Sequence, residues 1–389
     1  MKRLLQLLVA GLGWVVLSLL RPLVHIRVAF IPAERVGHLA ANTDLFLRRR
    51  QLGLIPGDRT YLFLVNRGAV ANRQLLEMFK RRLAVVENPL LRMLLAQQVR
   101  FRTRYFEDLH MNSNEYAEFI HARSSLSFTP EEEARGQAGL RALGIGESDW
   151  YVCVYARDAA FLNTQFPGLD WTYHDYRNCD IDTFSPALQE ITGRGGFVVR
   201  MGHVVEKPLA YKHARAIDYA THHRDEFMDV YLTAKCRFFL GSAAGIGEMA
   251  AALGAPRCGV NWTPVWTFPL GANSIYIPKK IRRRVDGSEV PYYEMIELTK
   301  NRETPMVLDG KAFAEAGYEY VSNSPAEIRD LVIEMIARMD GTHRPSETQR
   351  DAMARYCRLL PPDHWSYGEC VPIGQAFLEK HRDLFFRGP

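Results

Sequence analysis

Hydrophobic positions in this chain fall into short continuous runs stopped by Gly or Pro, alternating with stretches where they return every three or four residues. Val24 to Ile31 is a nearly unbroken apolar run ending at Pro32, as expected of a strand buried on both faces. The bridge Arg35-Val-Gly-His-Leu-Ala-Ala-Asn-Thr-Asp44 then predicts a helix, with Gly37 where the backbone must turn. Tyr61 to Val65 predicts a second strand, Asn72 to Leu83 a helix and Ala84 to Glu87 a third strand. Pro89 opens a long helix predicted to reach about Phe106. Met111 to Pro130 has weak periodicity. Glu131 to Glu133 start an acidic-capped helix that stops at Gly144-Ile-Gly146, the predicted domain boundary. The β-α-β-α order predicts a parallel sheet with helices on both faces.

The pattern then starts again. Trp150 to Ala156 predicts the first strand of a second domain, and Arg157-Asp158 stands at its C-terminal end, where open α/β sheets place their ligands. A turn-rich segment follows that includes Trp171 to Asp182; loops of this length in a compact domain are usually lids or binding loops, and Arg177 and Asn178 are its candidates. Ser185 to Thr192 predicts a helix and Phe197 to Arg200 a strand, which brings another basic residue, Arg200, to the same sheet edge. Cys236 to Pro264 reads as strand, glycine turn, helix, strand: Phe238 to Leu240 end at Gly241, and Ile246, Met249, Ala250 and Leu253 recur at helical spacing before Gly254 and Pro256. Gly241, Gly245 and Gly247 would let a ligand approach the amides that open this helix, where unpaired N–H groups favour an anion. Later come Ile275 to Pro278, the basic run Lys279 to Arg284, and a helix Ala326 to Met339 with Ile328, Leu331, Val332, Met335 and Ile336 on one face. Helices near Ser346 to Leu360 and Gly374 to Leu384 are expected to pack over the domain seam.

Gly241-Ser242, Gly245 and Met249-Ala-Ala-Ala-Leu-Gly-Ala-Pro256 resemble the donor-nucleotide segment of GT-B glycosyltransferases, especially heptosyltransferase-like and O-fucosyltransferase-like enzymes of bacterial surface-polysaccharide synthesis. The chain departs from that pattern at Ala243 and Ala244, where heptosyltransferases usually carry an Asp and a Ser or Thr, and at Glu248, where they carry a His. The resemblance implies an α/β fold of the GT-B kind, two Rossmann-like domains with parallel sheets facing a central cleft. Its expected divisions are an apolar segment 1–23, an acceptor-side domain 24–146, a nucleotide-sugar-binding domain 147–345 and helices 346–389. It also implies an inverting, metal-independent glycosyltransferase without cofactor, taking a nucleotide-sugar donor and a glycan or lipid-linked acceptor. Gly37-His38 stands where heptosyltransferase-like enzymes place Gly-Asp, so His38 is the implied base, with Gly37 and Asp44 on the acceptor side. A histidine that only caps or packs is the alternative. Arg157 is the implied grip on the leaving diphosphate; Arg177, Asn178, Arg200, Gly241, Ser242, Ala243, Gly245 and Glu248 are the implied donor set. A surface ion pair with Asp158 is the alternative for Arg157, and a favourable helix-dipole charge the alternative for Glu248.

Two other classes stay open: a sugar-nucleotide epimerase of the same two-domain plan, and a non-catalytic sugar- or nucleotide-binding protein, which Ala243 and Ala244 favour. A nicotinamide oxidoreductase is disfavoured, because Gly-Ser-Ala-Ala-Gly-Ile-Gly lacks G-x-G-x-x-G spacing and no acidic residue follows near Val260 to Trp262.

Composition adds four points. At 389 residues, with 47% hydrophobic and 24% charged, the chain suits two globular domains and excludes extended disorder. The net charge of +5 is modest, but Arg48 to Arg50, Lys80 to Arg82 and Lys279 to Arg284 are local basic clusters, either solvated faces or contacts to phosphate or anionic lipid; no nucleic-acid partner is expected. Six cysteines without a C-x-x-C pair suit a reduced cytosol, and Asp180-Ile-Asp182 lacks the preceding apolar strand of a metal-holding D-x-D motif. Leu4 to Leu20 is almost wholly apolar between Lys2-Arg3 and Arg21-Pro22, and falls short of the roughly 20 apolar residues of a comfortable span. It is expected to seat the protein on the cytoplasmic face of the inner membrane. A cleaved signal and a helix packed on the protein are the alternatives.

Overall fold

The structure is a computed structural model that describes residues 2–386, apart from 67, 69, 110–115, 166, 265–266, 300–309 and 360–370. Its first half comprises α1 (Lys2–Leu20), β1 (His25–Ile31), α2 (Val36–Gln51), β2 (Arg59–Val65), α3 (Arg73–Lys80), β3 (Ala84–Val85), α4 (Pro89–Arg100), β4 (Phe106–Glu107), α5 (Tyr116–His121) and α6 (Pro130–Ala142). The second comprises β5 (Tyr151–Tyr155), α7 (Ala160–Gln165), α8 (Ser185–Gly193), β6 (Phe197–Arg200), β7 (Ala216–Ile217), α9 (Tyr219–His222), α10 (Glu226–Lys235), β8 (Phe238–Gly241), α11 (Gly245–Ala252), β9 (Arg257–Trp262) and β10 (Ile275–Pro278). It continues with β11 (Lys280–Arg283), α12 (Tyr292–Thr299), α13 (Gly310–Glu315), β12 (Tyr318–Val321), α14 (Pro325–Met339), α15 (Glu347–Leu359), α16 (Gln375–Lys380) and α17 (Arg382–Phe386).

Buried, β-branched and aromatic strands form the expected parallel sheets. β1 pairs in register with β2 from His25↔Arg59 to Ile31↔Val65, and the first sheet runs β3-β2-β1-β4. The second sheet runs β10-β9-β8-β5-β6-β7, so the strand order reverses between β5 and β8, the topological switch point of a doubly wound sheet. Each sheet is flanked by helices, and the molecule is a bilobed α/β protein of the GT-B kind with a central cleft, the fold class expected from the sequence. Local chemistry sets the helix starts. Thr129 with Glu132 opens α6 and Ser324 with Glu327 opens α14, both as reciprocal capping boxes with Pro at the first helical position.

The two units meet where α2 lies against α11. Met249 and Ala252 of α11 and Val230 of α10 share one apolar cluster with Ala29, Ile31, Leu39 and Phe46 of the first unit. Beneath it, Arg48 donates from Nε to Asp44 at 2.5 Å and from Nη2 to the Ala251 carbonyl at 3.0 Å.

Two expectations change, the end of α4 and the basic run. α4 ends at Arg100, after which the chain turns at Arg102, with φ 43°, so that Phe106–Glu107 pairs with β1 as an edge strand instead of extending the helix. Lys280–Arg283 is a strand paired antiparallel with β12, and its cations are spent on local carboxylates: Lys280 on Glu289, Arg282 on Glu319, Arg283 on Glu294. Most of the basic run is therefore structural. The C-terminal helices are tied to α14, with Glu327 accepting from His381 at 2.7 Å and Lys380 at 2.8 Å, and Glu334 from the Gln375 amide at 2.6 Å. Cys153, Cys179, Cys236 and Cys258 are free thiols; Leu360 and Cys370 lie outside the described residues.

Candidate functional site

The switch point puts the ends of β5 and β8 side by side, and the residues that follow them are joined there. The Arg157 amide donates to Ser242 Oγ at 3.1 Å, and the Ser242 amide to the Tyr155 carbonyl at 3.4 Å. Gly241 is required by closeness, since a Cβ there would lie 2.6 Å from the Tyr155 carbonyl oxygen.

Over this edge folds the segment Thr172–Arg177, a 3₁₀ turn. Arg157 donates from Nη1 to the His174 carbonyl at 3.3 Å and to Asn178 Oδ1, while Asn178 Nδ2 donates to Asp175 at 2.8 Å. Arg177 reaches back to the start of α11, giving Nη2 to the Ala243 carbonyl at 2.9 Å, and its Nε has no protein partner. A third cation enters from β10: Lys279 Nζ donates to the carbonyls of Tyr176 at 2.9 Å and Asn178 at 2.7 Å.

Every hydrogen bond described for these three cations goes to a carbonyl or amide oxygen, none to a carboxylate. The electrostatic cost is visible in their protonation. Burial, with Arg157 nearby, pushes the Lys279 ammonium down to about 8. Burial, and then the charge of Arg177, holds the Arg157 guanidinium below its ordinary value. Asp175, which accepts from Asn178 on the same turn, attracts Arg157 and offsets part of this cost, and an anion bound between the cations would offset more. Arg157 makes no pair with Asp158, whose oxygens accept from the amides of Ala160 and Glu206, each at 3.0 Å.

Two cavities flank the segment Tyr176–Asn178. One, of about 440 Å³, is lined by Asp158, Asn178, Cys179, Arg200 and Lys207 among others. The other, of about 400 Å³, has Lys279 beside Tyr176, Phe313 and Tyr320. Their rings are nearly parallel, with centroids 5.4 Å apart for Tyr176–Tyr320 and 4.6 Å for Phe313–Tyr320. Asp180 and Asp182 both bind Lys207, at 2.6 and 2.5 Å. Among the described residues no group of three or more His, Cys, Asp or Glu side chains could hold a metal ion.

The remaining candidates divide between the cleft and the packing. Arg200, 1% exposed, pairs with Asp218 at 3.4 Å while its Nε has no protein partner and it lines the 440 Å³ cavity, whereas Glu248 holds the buried Arg257 at 3.3 Å from both oxygens. Asp44 is fully buried on the inner face of α2, and burial pushes its carboxyl up to about 6 against the attraction of Arg48. His38 is exposed in the first turn of α2. Its neighbour Gly37 touches the first residue of α11: a Cβ on Gly37 would meet Gly245 Cα at 2.7 Å, and one on Gly245 would meet Gly37 N at 3.0 Å. These two glycines thus serve backbone-to-backbone contact between the lobes. Gly37→Ala should destabilise the protein by about 1–3 kcal/mol, because backbone cannot rotate out of the way, and Gly245→Ala by clearly less. Urea melts of the two variants check this; equal effects would contradict it. Lys279 as an individual residue was hidden in the basic run, although its place directly after the strand-ending Pro278 could have singled it out.

Fold and site together define a bilobed α/β protein with a cation-lined switch point. No family model matches the chain, and no curated protein matches it. Among solved structures it is similar to a family 9 glycosyl transferase from Veillonella parvula, at 9% identity over 81% of this chain and 98% of that one, with a TM-score of 0.46. It is also similar to the ADP-heptose LPS heptosyltransferase II of E. coli, at 12% identity over 65% and 90% of the two chains, with a TM-score of 0.42. The iron-containing dodecameric glycosyltransferase TibC of enterotoxigenic E. coli gives 10% identity over 81% and 78%, with a TM-score of 0.39.

Proposed function

We propose that the protein is a metal-independent, inverting glycosyltransferase that binds a nucleotide sugar at the switch point of its second sheet. It would pass the sugar to a glycan or lipid-linked acceptor held by the first unit. The observation that carries this reading is the convergence of Arg157, Arg177 and Lys279 with no carboxylate hydrogen-bonded to any of them among the described residues. A diphosphate supplies the missing negative charge, and the same cations stabilise the charge that develops on it as a leaving group. The aromatic cavity beside Lys279 suits the flat face of a nucleobase. Thr172–Arg177 acts as a roof that must lift to admit the donor, since it supplies both Arg177 and the carbonyl capping Arg157. His38 takes the acceptor proton from the other lobe. The apolar helix α1 seats the enzyme at the cytoplasmic membrane face, where a lipid-linked acceptor is found.

The test is binding of a panel of nucleoside diphosphates and their sugars, with slow donor hydrolysis as a second readout. Arg157→Ala should weaken nucleotide affinity about 10- to 150-fold, the equivalent of a charge-assisted hydrogen bond of roughly 1.5–3 kcal/mol. Lys279 gives a pH signature. Only its ammonium form holds the diphosphate, and the free group sits at about 8. Bound anion raises that value, so affinity should be level below pH 8 and fall above it by up to about tenfold per pH unit. Lys279→Met should bind more weakly with no such slope. Failure of every nucleoside diphosphate to bind would overturn the proposal.

A further inference from the structure

The helix α1 is built the wrong way round for a helix of a water-soluble surface. Its inward stripe is small: Ala10, Gly13 and Leu17 face the protein, with Gln98 Nε2 of α4 donating to the Ala10 carbonyl at 2.9 Å. A Cβ on Gly13 would lie 2.7 Å from that same Gln98 nitrogen, so the glycine lets α1 lie close against α4. Ser18 is fixed to Tyr105 Oη at 2.7 Å, and Arg104 crosses above Trp14 with its guanidinium 4.6 Å from the ring. The helix is therefore docked on the first unit along its length. Its outward face is apolar, with Leu4 63%, Leu8 64% and Leu19 73% exposed.

The sequence pattern did not mark α4 as a partner in this. Leu90 is 70% exposed and Met93 51%, so the neighbouring helix adds its own apolar face. Adjacent exposed apolar faces of this extent mark a binding surface, and among the described residues no helix is long and apolar enough to cross a membrane. Charge selects the occupant. α1 and α4 contain no Asp or Glu, while Arg3 and Arg21 lie at the ends of α1, and Arg92 and Arg100 on α4. A second copy of the same face would set these cations against one another; an anionic bilayer surface neutralises them while its acyl region takes up the leucines.

We infer that α1 and α4 form a two-helix plate that lies in the interface of an anionic lipid bilayer, with the arginines at the headgroups. The inference rests on the membrane-seated reading of α1 and extends it to a second helix and to a lipid charge. The experiment is flotation of the full chain with vesicles of phosphatidylcholine alone and of phosphatidylcholine with about one-third phosphatidylglycerol. Binding to the anionic vesicles should be at least about tenfold stronger. Leu90→Ser with Met93→Ser should lower it about 30-fold, and Arg92→Gln with Arg100→Gln should remove most of the preference for phosphatidylglycerol. All four side chains are at least partly exposed, so urea melts and nucleoside diphosphate binding should match wild type in both variants. Unchanged vesicle binding by the α4 variants, or equal binding to neutral vesicles, overturns the plate. So does a lipid-free dimer that Leu90→Ser with Met93→Ser dissolves. Lost vesicle binding with intact nucleotide binding leaves the transferase reading standing, and the reverse result separates the two in the other direction.

Discussion

Replacing Arg48 by methionine is expected to destabilise the protein by about 3–5 kcal/mol, the usual loss when one member of a buried ion pair is removed. Arg48 and Asp44 are both buried, and besides Asp44 the guanidinium holds the carbonyls of Phe119, Ala122 and Ala251. Methionine leaves those oxygens and the Asp44 carboxylate without a donor. The deficit should depend on pH with a definite sign. Burial already lifts the folded Asp44 to about 6, from an ordinary 3.8, although Arg48 pulls it down. Without Arg48 the folded value rises further, so the folded state binds the extra proton and the contribution of this group to stability falls as pH rises from about 4 towards the folded pKa. The variant should therefore lose less at pH 5 than at pH 8, and adding Asp44→Asn should restore part of the loss at pH 8. A variant that melts in urea like wild type at pH 8 would show that the pair does not hold the seam.

Much of this architecture was legible because each strand and helix announces itself locally. The unit Phe238–Gly241, Gly245–Ala252 and Arg257–Trp262 fell where the apolar run, the glycines and Pro256 placed it. What stayed hidden depends on partners far along the chain. Phe106–Glu107 is too short to show a pattern and becomes a strand only because β1 offers an edge. Arg200 reads as one more cation at a sheet edge until Asp218 is seen beside it, and Lys279 reads as one of a basic run until its neighbours turn out to bind Glu289, Glu319 and Glu294. Gly245 was legible as a glycine that permits close approach, but what approaches is Gly37, from the other lobe. In each case the residue type was a sound cue and the missing information was the identity of a nonlocal neighbour.

The largest effect on turnover is expected at His38. His38 is solvent-exposed in the first turn of α2, next to Gly37, whose backbone meets Gly245 of the second unit. If His38 takes the acceptor proton, His38→Ala should lower kcat about 10²- to 10⁴-fold, the usual contribution of a general base, on whichever nucleotide sugar the protein is found to use. Nucleotide affinity should stay near wild type, because the imidazole acts on the acceptor; Arg157→Ala should weaken nucleotide affinity first. If His38 is the base, the wild-type rate should also fall on the acid side, and that limb should vanish in His38→Ala. A merely structural histidine would change stability and leave the shape of the pH profile alone. Wild-type turnover in His38→Ala would remove the base from this position. Asp44, fully buried on α2 and bonded to Arg48, is the poorer replacement, whereas Asp158 lines the 440 Å³ cavity at the sheet edge and would be the carboxylate to mutate next.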